Sequence, residues 1–312
     1  MYLAEFWRST LKNEKEKQSY EAVLSAYQKG EKEITIPLSN HERFAEIYNY
    51  VIFDHPELFY YGSSYSWAPL PLGRGLGVRL EYSFPFAMAS QLKAAAKIKL
   101  HNTFKKYVDA PGNFEKALAV HEFFVKNVKY NLESKDPFNA LGPLMRGEGV
   151  CQGISLAAKW ILDYLGVYSI VVPGIGDDGK TKEPHAWNIV YFKGVPYHID
   201  YTYMLEGVFH NYFGLDDAQI ATDHIFDLPK ELACKRLYEN YYVKKGLAFD
   251  SLQKAIDGIN DIFLKGGNAA EVWIRDGEKT NRADYIFARL AVPGGYEYVG
   301  LPSTQHYRFK RV

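Results

Sequence analysis

Cysteine is scarce in this chain: two in 312 residues, Cys151 and Cys234. Two thiols cannot make a disulfide framework, so the fold has to stand on its own core. Charge of one sign is missing as well. Lys plus Arg and Asp plus Glu both come to 37, and no basic stripe stands out, so nothing argues for nucleic acid as a partner. No apolar run approaches the length of a membrane span. The first residues, Met1-Tyr-Leu-Ala-Glu-Phe-Trp-Arg8, lack a basic segment followed by an apolar one, so no signal peptide is read. As it stands the chain reads as cytoplasmic, although a trimmed secreted form would look the same. Gly73-Arg-Gly-Leu-Gly77 lacks the Lys-Ser/Thr ending of a phosphate loop and reads as a turn. His121 has no HExxH context, and the loop Gly174–Glu183 completes no calcium pattern. Neither a metal nor a cofactor is expected.

What is present is the composition of a folded, aromatic-rich protein. Hydrophobic residues make up 47% and charged residues 24%, enough to bury a full core in two or three units. The 25 tyrosines read as packing. The stretch Gly147-Glu-Gly-Val-Cys-Gln-Gly153 is the most informative. It sets Cys151 at the mouth of a helix patterned by Ile154, Ala158, Ile161 and Leu165 and stopped by Gly166. A thiol there feels the positive end of the helix dipole, which favours the nucleophilic thiolate, and the unpaired N–H groups of the first turn can hold an oxyanion.

A nucleophile needs a base. His185-Ala-Trp-Asn-Ile-Val-Tyr-Phe192 and Val195-Pro-Tyr-His-Ile-Asp200 read as two strands closed by a tight turn at Lys193-Gly194. A symmetric turn puts Trp187 opposite Asp200 and His185 opposite Thr202. His185 and Asp200 then share one face as diagonal neighbours, their backbones about 7–8 Å apart, within reach of an imidazole–carboxylate hydrogen bond. The carboxylate would orient the ring and the ring would take the thiol proton. A slip of one residue would put the two on opposite faces. His198 shares the predicted face and is the reserve base, with packing its more ordinary role. Asp223-His224 fits no standard ligand set, and Cys234 reads as an unpaired structural thiol in a helical segment.

The order Cys, His, Asp resembles the transglutaminase-like superfamily. The resemblance is carried by Gly149-Val-Cys-Gln-Gly153, Pro184-His-Ala-Trp-Asn188 and Tyr197-His-Ile-Asp-Tyr-Thr202. It implies an α+β, papain-like core with the cysteine on a helix N-terminus packed on an antiparallel sheet that carries the His and the Asp. Cys151 is then the nucleophile, His185 the base and acid, and Asp200 the orienting carboxylate. An upstream aromatic or amide often completes the oxyanion hole in this family, and Tyr130 is the candidate. Gln152 is a second candidate around the oxyanion, while Trp187 and Tyr201 could wall the cleft. Asp54-His-Pro-Glu-Leu-Phe59, and the pieces Tyr212–Asp216, Ala221–His224 and Asn240–Val243, resemble regions flanking this core in bacterial members.

The expected division is residues 1–86 as an N-terminal α/β unit, 87–246 as the core and 247–312 as a C-terminal α/β unit. Helices are expected over 3–29, 41–53, 87–108, 114–128, 249–264 and 282–290. Strands are expected over 33–37, 168–172, 271–274 and 305–309, with Tyr201–Tyr203 continuing the sheet. The resemblance implies acyl transfer or hydrolysis at an amide of a protein or peptide substrate, through a thioester on Cys151. The alternative is a non-catalytic module of the same fold that binds a peptide or cell-wall partner. Acetyl transfer from a coenzyme thioester is a third use of a similar triad. Oligomeric state is not readable.

Overall fold

The computed structural model describes residues 5–177 and 179–312, apart from the side chain of Ser63. Leu3, in the expected first helix, and Asp178, in the expected loop, lie outside them. The architecture is α+β, built on a five-stranded sheet. In spatial order its strands are His224–Ile225, Ser169–Asp177, Lys182–Phe192, Val195–Ile199 and Phe213–Leu215, antiparallel throughout. The helix Cys151–Tyr164 packs on the second and third of these strands. It is apolar on nearly every side: Ile154, Ala158 and Ile161 are wholly buried, and Gly166 ends it in the left-handed conformation at φ 72°.

The hairpin that carries the candidate base closes as the sequence indicates. Lys193 and Gly194 have φ of 52° and 80°, the pair of positive values a two-residue turn of this twist needs. The pairing runs from Phe192 opposite Val195 to Asn188 opposite Ile199, which is the symmetric register.

Four local expectations are corrected. The first helix is two, Phe6–Ser9 and Glu14–Lys29. Asn13 accepts from the Glu16 N–H, and Glu16 reaches back to the Lys12 N–H, so a cap forms where the periodicity suggested continuity. Tyr201–Tyr203 does not continue the sheet, because Asp200 Oδ1 accepts the N–H groups of Thr202 and Tyr203 at 2.8 and 3.2 Å and turns the chain away. The segment around Cys234 forms only a short 3₁₀ turn, Lys230–Leu232. The expected loop Gly174–Glu183 is mostly strand, and the strands Tyr296–Leu301 and Ala248–Phe249 were not foreseen.

Two hydrophobic cores form. The larger runs from Trp7 to Cys234 and joins the N-terminal helices and their three-stranded sheet to the central sheet. The Trp7 indole N–H donates to the Val171 carbonyl at 2.9 Å across this junction. The smaller core, Ala255 to Phe309, lies between the helix Leu252–Leu264 and the sheet that includes Ala269–Ile274 and His306–Arg311. No helix among the described residues is long and apolar enough to cross a membrane.

Candidate active site

Cys151 is the first residue of its helix, after Val150 in extended conformation, and is half-buried. Its position is fixed from both sides. Val150 N–H donates to the Pro137 carbonyl at 3.0 Å. Gly153 packs so closely that a Cβ there would lie 2.3 Å from the same carbonyl oxygen. The short parallel pairing of Lys129-Tyr130 with Glu148-Gly149 brings Tyr130 alongside the approach to the helix.

His185 joins Cys151 to Asp200. Its Nε2 lies 2.7 Å from Asp200 Oδ2, leaving Nδ1 for the Cys151 thiol, to which the ring is also hydrogen-bonded. The His185 side chain is 7% exposed and that of Asp200 0%. Burial alone would lower the pKa of His185, but the Asp200 carboxylate and the Cys151 sulfur outweigh it and push it up to about 10. Burial would likewise raise the pKa of Asp200, yet His185 and His224 hold it well below the usual carboxylate range. With Oδ1 on two backbone N–H groups and Oδ2 on two imidazoles, Asp200 is a fully satisfied buried anion.

The remaining sequence candidates separate. The Tyr130 hydroxyl lies against the Cys151 backbone N–H, beside the sulfur; burial first, and then Cys151 and Glu183, disfavour its ionisation. Gln152 sends its amide the other way, donating to Tyr61 Oη and the Phe138 carbonyl, both at 3.2 Å, and so ties the Cys helix to the N-terminal region. Trp187 and Tyr201 do not wall a cleft. Both are buried: Trp187 donates its indole N–H to His198 Nδ1 at 2.9 Å, and Tyr201 packs on Phe124. That hydrogen bond keeps His198 away from the thiol as well, since its Nε2 meets Asp217 at 3.0 Å. Burial lowers the pKa of His198, consistent with a neutral ring. Cys234 is buried, with its thiol pKa raised by burial and by the nearby Asp217 and Asp216.

Three residues at the site were not singled out from the sequence as site members. Tyr203 lies 4.8 Å from the His185 ring, centroid to centroid, and His224 lies 5.3 Å from it. Asp223 accepts from His224 Nδ1 at 2.6 Å and from the Tyr212 hydroxyl. The adjacent pair Asp223-His224 is the signal in the sequence, but nothing local in it points to a hydrogen bond with Asp200. The donors of His185, Asp200 and His224, and those of His198, Asp217 and Cys234, lie close enough to suggest a metal. The first group and the His198–Asp217 pair are joined directly by hydrogen bonds, and Asp217 takes the Cys234 backbone N–H, which accounts for their closeness.

A cleft of about 510 Å³ opens beside this group, lined by Lys129, Tyr130, Glu183, His185, Tyr203 and Glu206 among others. Two neighbours of Cys151, Tyr130 and His185, thus face a space large enough for a peptide side chain and its backbone.

No curated protein matches the chain. Among solved structures it is similar to one described as a TGase, with 16% identity and a TM-score of 0.32 over 47% of this chain and 46% of that one. It is also similar to a candidate cysteine protease from Cytophaga hutchinsonii, with 14% identity and a TM-score of 0.31 over 45% of this chain and 61% of that one. The chain therefore spans less than two thirds of the length of either. Residues 102–200 match the family described as the transglutaminase-like superfamily, a span that contains Cys151 and His185 and ends on Asp200. This segment is thus similar to a transglutaminase-like core.

Proposed function

We propose that the protein is a cysteine-dependent acyltransferase or amidase acting on an amide of a protein or peptide. The reading rests on one observation: a single imidazole hydrogen-bonded to a helix-N-terminal cysteine on one side and to a buried carboxylate on the other. His185 takes the Cys151 thiol proton, forming a thiolate–imidazolium ion pair. The sulfur attacks the amide carbonyl carbon, and the C=O electron pair moves to oxygen. That oxyanion develops beside the first-turn N–H groups and the Tyr130 hydroxyl. The C–N bond then breaks, and the proton on His185 Nδ1 goes to the departing nitrogen. A thioester remains, with His185 now neutral. His185 next takes a proton from an amine or a water, whose nitrogen or oxygen attacks the thioester carbonyl; the C–S bond breaks and the ion pair is restored. The same reading keeps residues 1–86 and 247–312 as units flanking the core 87–246.

Iodoacetate alkylation of Cys151, followed by mass spectrometry against pH, tests the reading. The expected result is fast labelling at neutral pH that slows at least about tenfold in His185→Ala. Labelling that ignores His185 would remove the catalytic reading and leave a binding module. Amine incorporation into glutamine peptides, scored beside peptide hydrolysis, then identifies the acceptor.

A further inference from the structure

Cys–His–Asp chemistry leaves one buried group at this site without a role. His224 has a side chain 0% exposed, and its Nε2 lies 3.1 Å from Asp200 Oδ2, the same oxygen that His185 reaches at 2.7 Å. Its Nδ1 lies 2.6 Å from Asp223 Oδ1. An ionised carboxylate can only accept. Carboxylate oxygens face both nitrogens of His224, so both nitrogens donate, which makes it an imidazolium. The other groups around it do not offset this. His198 is neutral, Tyr203 and Tyr212 are phenols, and the Tyr212 hydroxyl donates to Asp223. His185, the remaining titratable neighbour, meets the same Asp200 Oδ2 with its ring centroid 5.3 Å from that of His224, so the one carboxylate lies between two imidazole N–H donors and offsets both. Burial opposes the charge on His224, but the hydrogen bonds to Asp200 and Asp223 more than offset it and raise its pKa.

The backbone is arranged to allow the reach. His224 is on an edge strand paired with Gly176, and Gly174 of that next strand is paired with His185. Side chains of paired residues share a face. A Cβ at Gly174 would lie 2.5 Å from the Trp187 ring, and one at Gly176 2.5 Å from the Tyr203 hydroxyl. The two glycines keep open the trough across which His224 reaches Asp200.

We propose that His224 is a positioning residue of the triad: an imidazolium held by Asp223 that shares the Asp200 oxygen used by His185 and sets how firmly Asp200 retains the proton on His185. The inference rests on the acyl-transfer reading above. A carboxylate that also neutralises a second cation holds His185 less tightly, so His185 releases its proton more readily to the leaving nitrogen. Two variants remove the charge and keep a donor on Asp200. His224→Gln retains an N–H, and Asp223→Asn removes the carboxylate that demands the second proton.

The test is the alkaline limb of the iodoacetate profile at Cys151, where loss of the His185 imidazolium slows attack on an anionic reagent. Both variants are expected to move that limb upward, by about one pH unit. His224→Phe, which removes the donor too, is expected to lose at least about tenfold in rate at neutral pH. Histidine ¹⁵N spectra of the unmodified protein supply a readout independent of the variants' folding: His224 protonated on both nitrogens at pH 7 supports the proposal, and a bare nitrogen overturns it. A wild-type thiol that ignores His185 removes the acyl-transfer reading itself. A His185-dependent thiol whose limb stays put or falls in Asp223→Asn and His224→Gln overturns the His224 role alone.

Discussion

At the scale of single residues, Asp200 decides most. It is wholly buried and satisfied by four donors, so changing it exposes each of them. Asp200→Asn is expected to leave the chain folded and to cut turnover by about 10³–10⁴, because the amide can present an N–H to His185 and select the wrong tautomer. Steady-state kinetics beside circular dichroism would check this. The pair also sets a pH window for stability. The carboxylate of Asp200 is held below its unfolded value near about 3.9, so its contribution is present above that pH and is lost as pH falls through the folded value. His185 is raised to about 10, so its contribution is complete below its unfolded value near about 6.5 and is lost as pH rises through about 10. The difference in urea midpoint between wild type and His185→Gln should therefore be largest between about pH 4 and 6.5 and fade toward pH 10. Both residues were legible beforehand, since turn chemistry at Lys193-Gly194 fixes the register and the register fixes the face. His224 was not: it reaches Asp200 from a distant part of the sequence, and no local period announces such a contact.

At the scale of elements, glycines decide how closely the parts approach. Gly153 brings the Cys helix against the carbonyl of Pro137, a backbone atom that cannot swing aside. Gly153→Ala is expected to destabilise the protein by about 1–3 kcal/mol and to shift Cys151 off its partner, measured as a lower urea midpoint with slower alkylation. The helices expected at 41–53, 87–108 and 114–128 occur at His41–Asp54, Phe86–Phe104 and Asn113–Asn127; the first is capped by the Asn40 side chain, and the other two begin without a side-chain cap. The break at Asn13 and the turn at Asp200 are also made by local side chains, but each competes with a longer pattern that reads through it. A capping side chain won both times over periodicity.

At the scale of the whole molecule, the smaller core holds the wall of the cleft. Arg308 donates to the carbonyls of Gly207 and Val208 at 3.2 and 3.1 Å. Glu271 accepts the His210 backbone N–H at 2.7 Å and faces the same residue's Nδ1 at 3.0 Å. Between Asp200 and these anchors lie Thr202, Tyr203 and Glu206, all of which line the cleft. Arg308→Ala is expected to speed amide hydrogen exchange across residues 201–210 and to raise KM more than it lowers kcat, measured by exchange mass spectrometry and steady-state kinetics.

The sheet order carries a consequence for how the protein is made. After Phe213–Leu215, at one edge, the chain crosses to the opposite edge and lays down His224–Ile225 beside Ser169–Asp177. A chain emerging from the ribosome holds Cys151, His185 and Asp200 well before that last strand can dock. Until it does, Asp200 lacks its second imidazole, and the strand Ser169–Asp177 keeps a bare edge. A chain that stops before residue 224 lacks the second imidazole on Asp200 and the strand that pairs with Gly176 and Ile175.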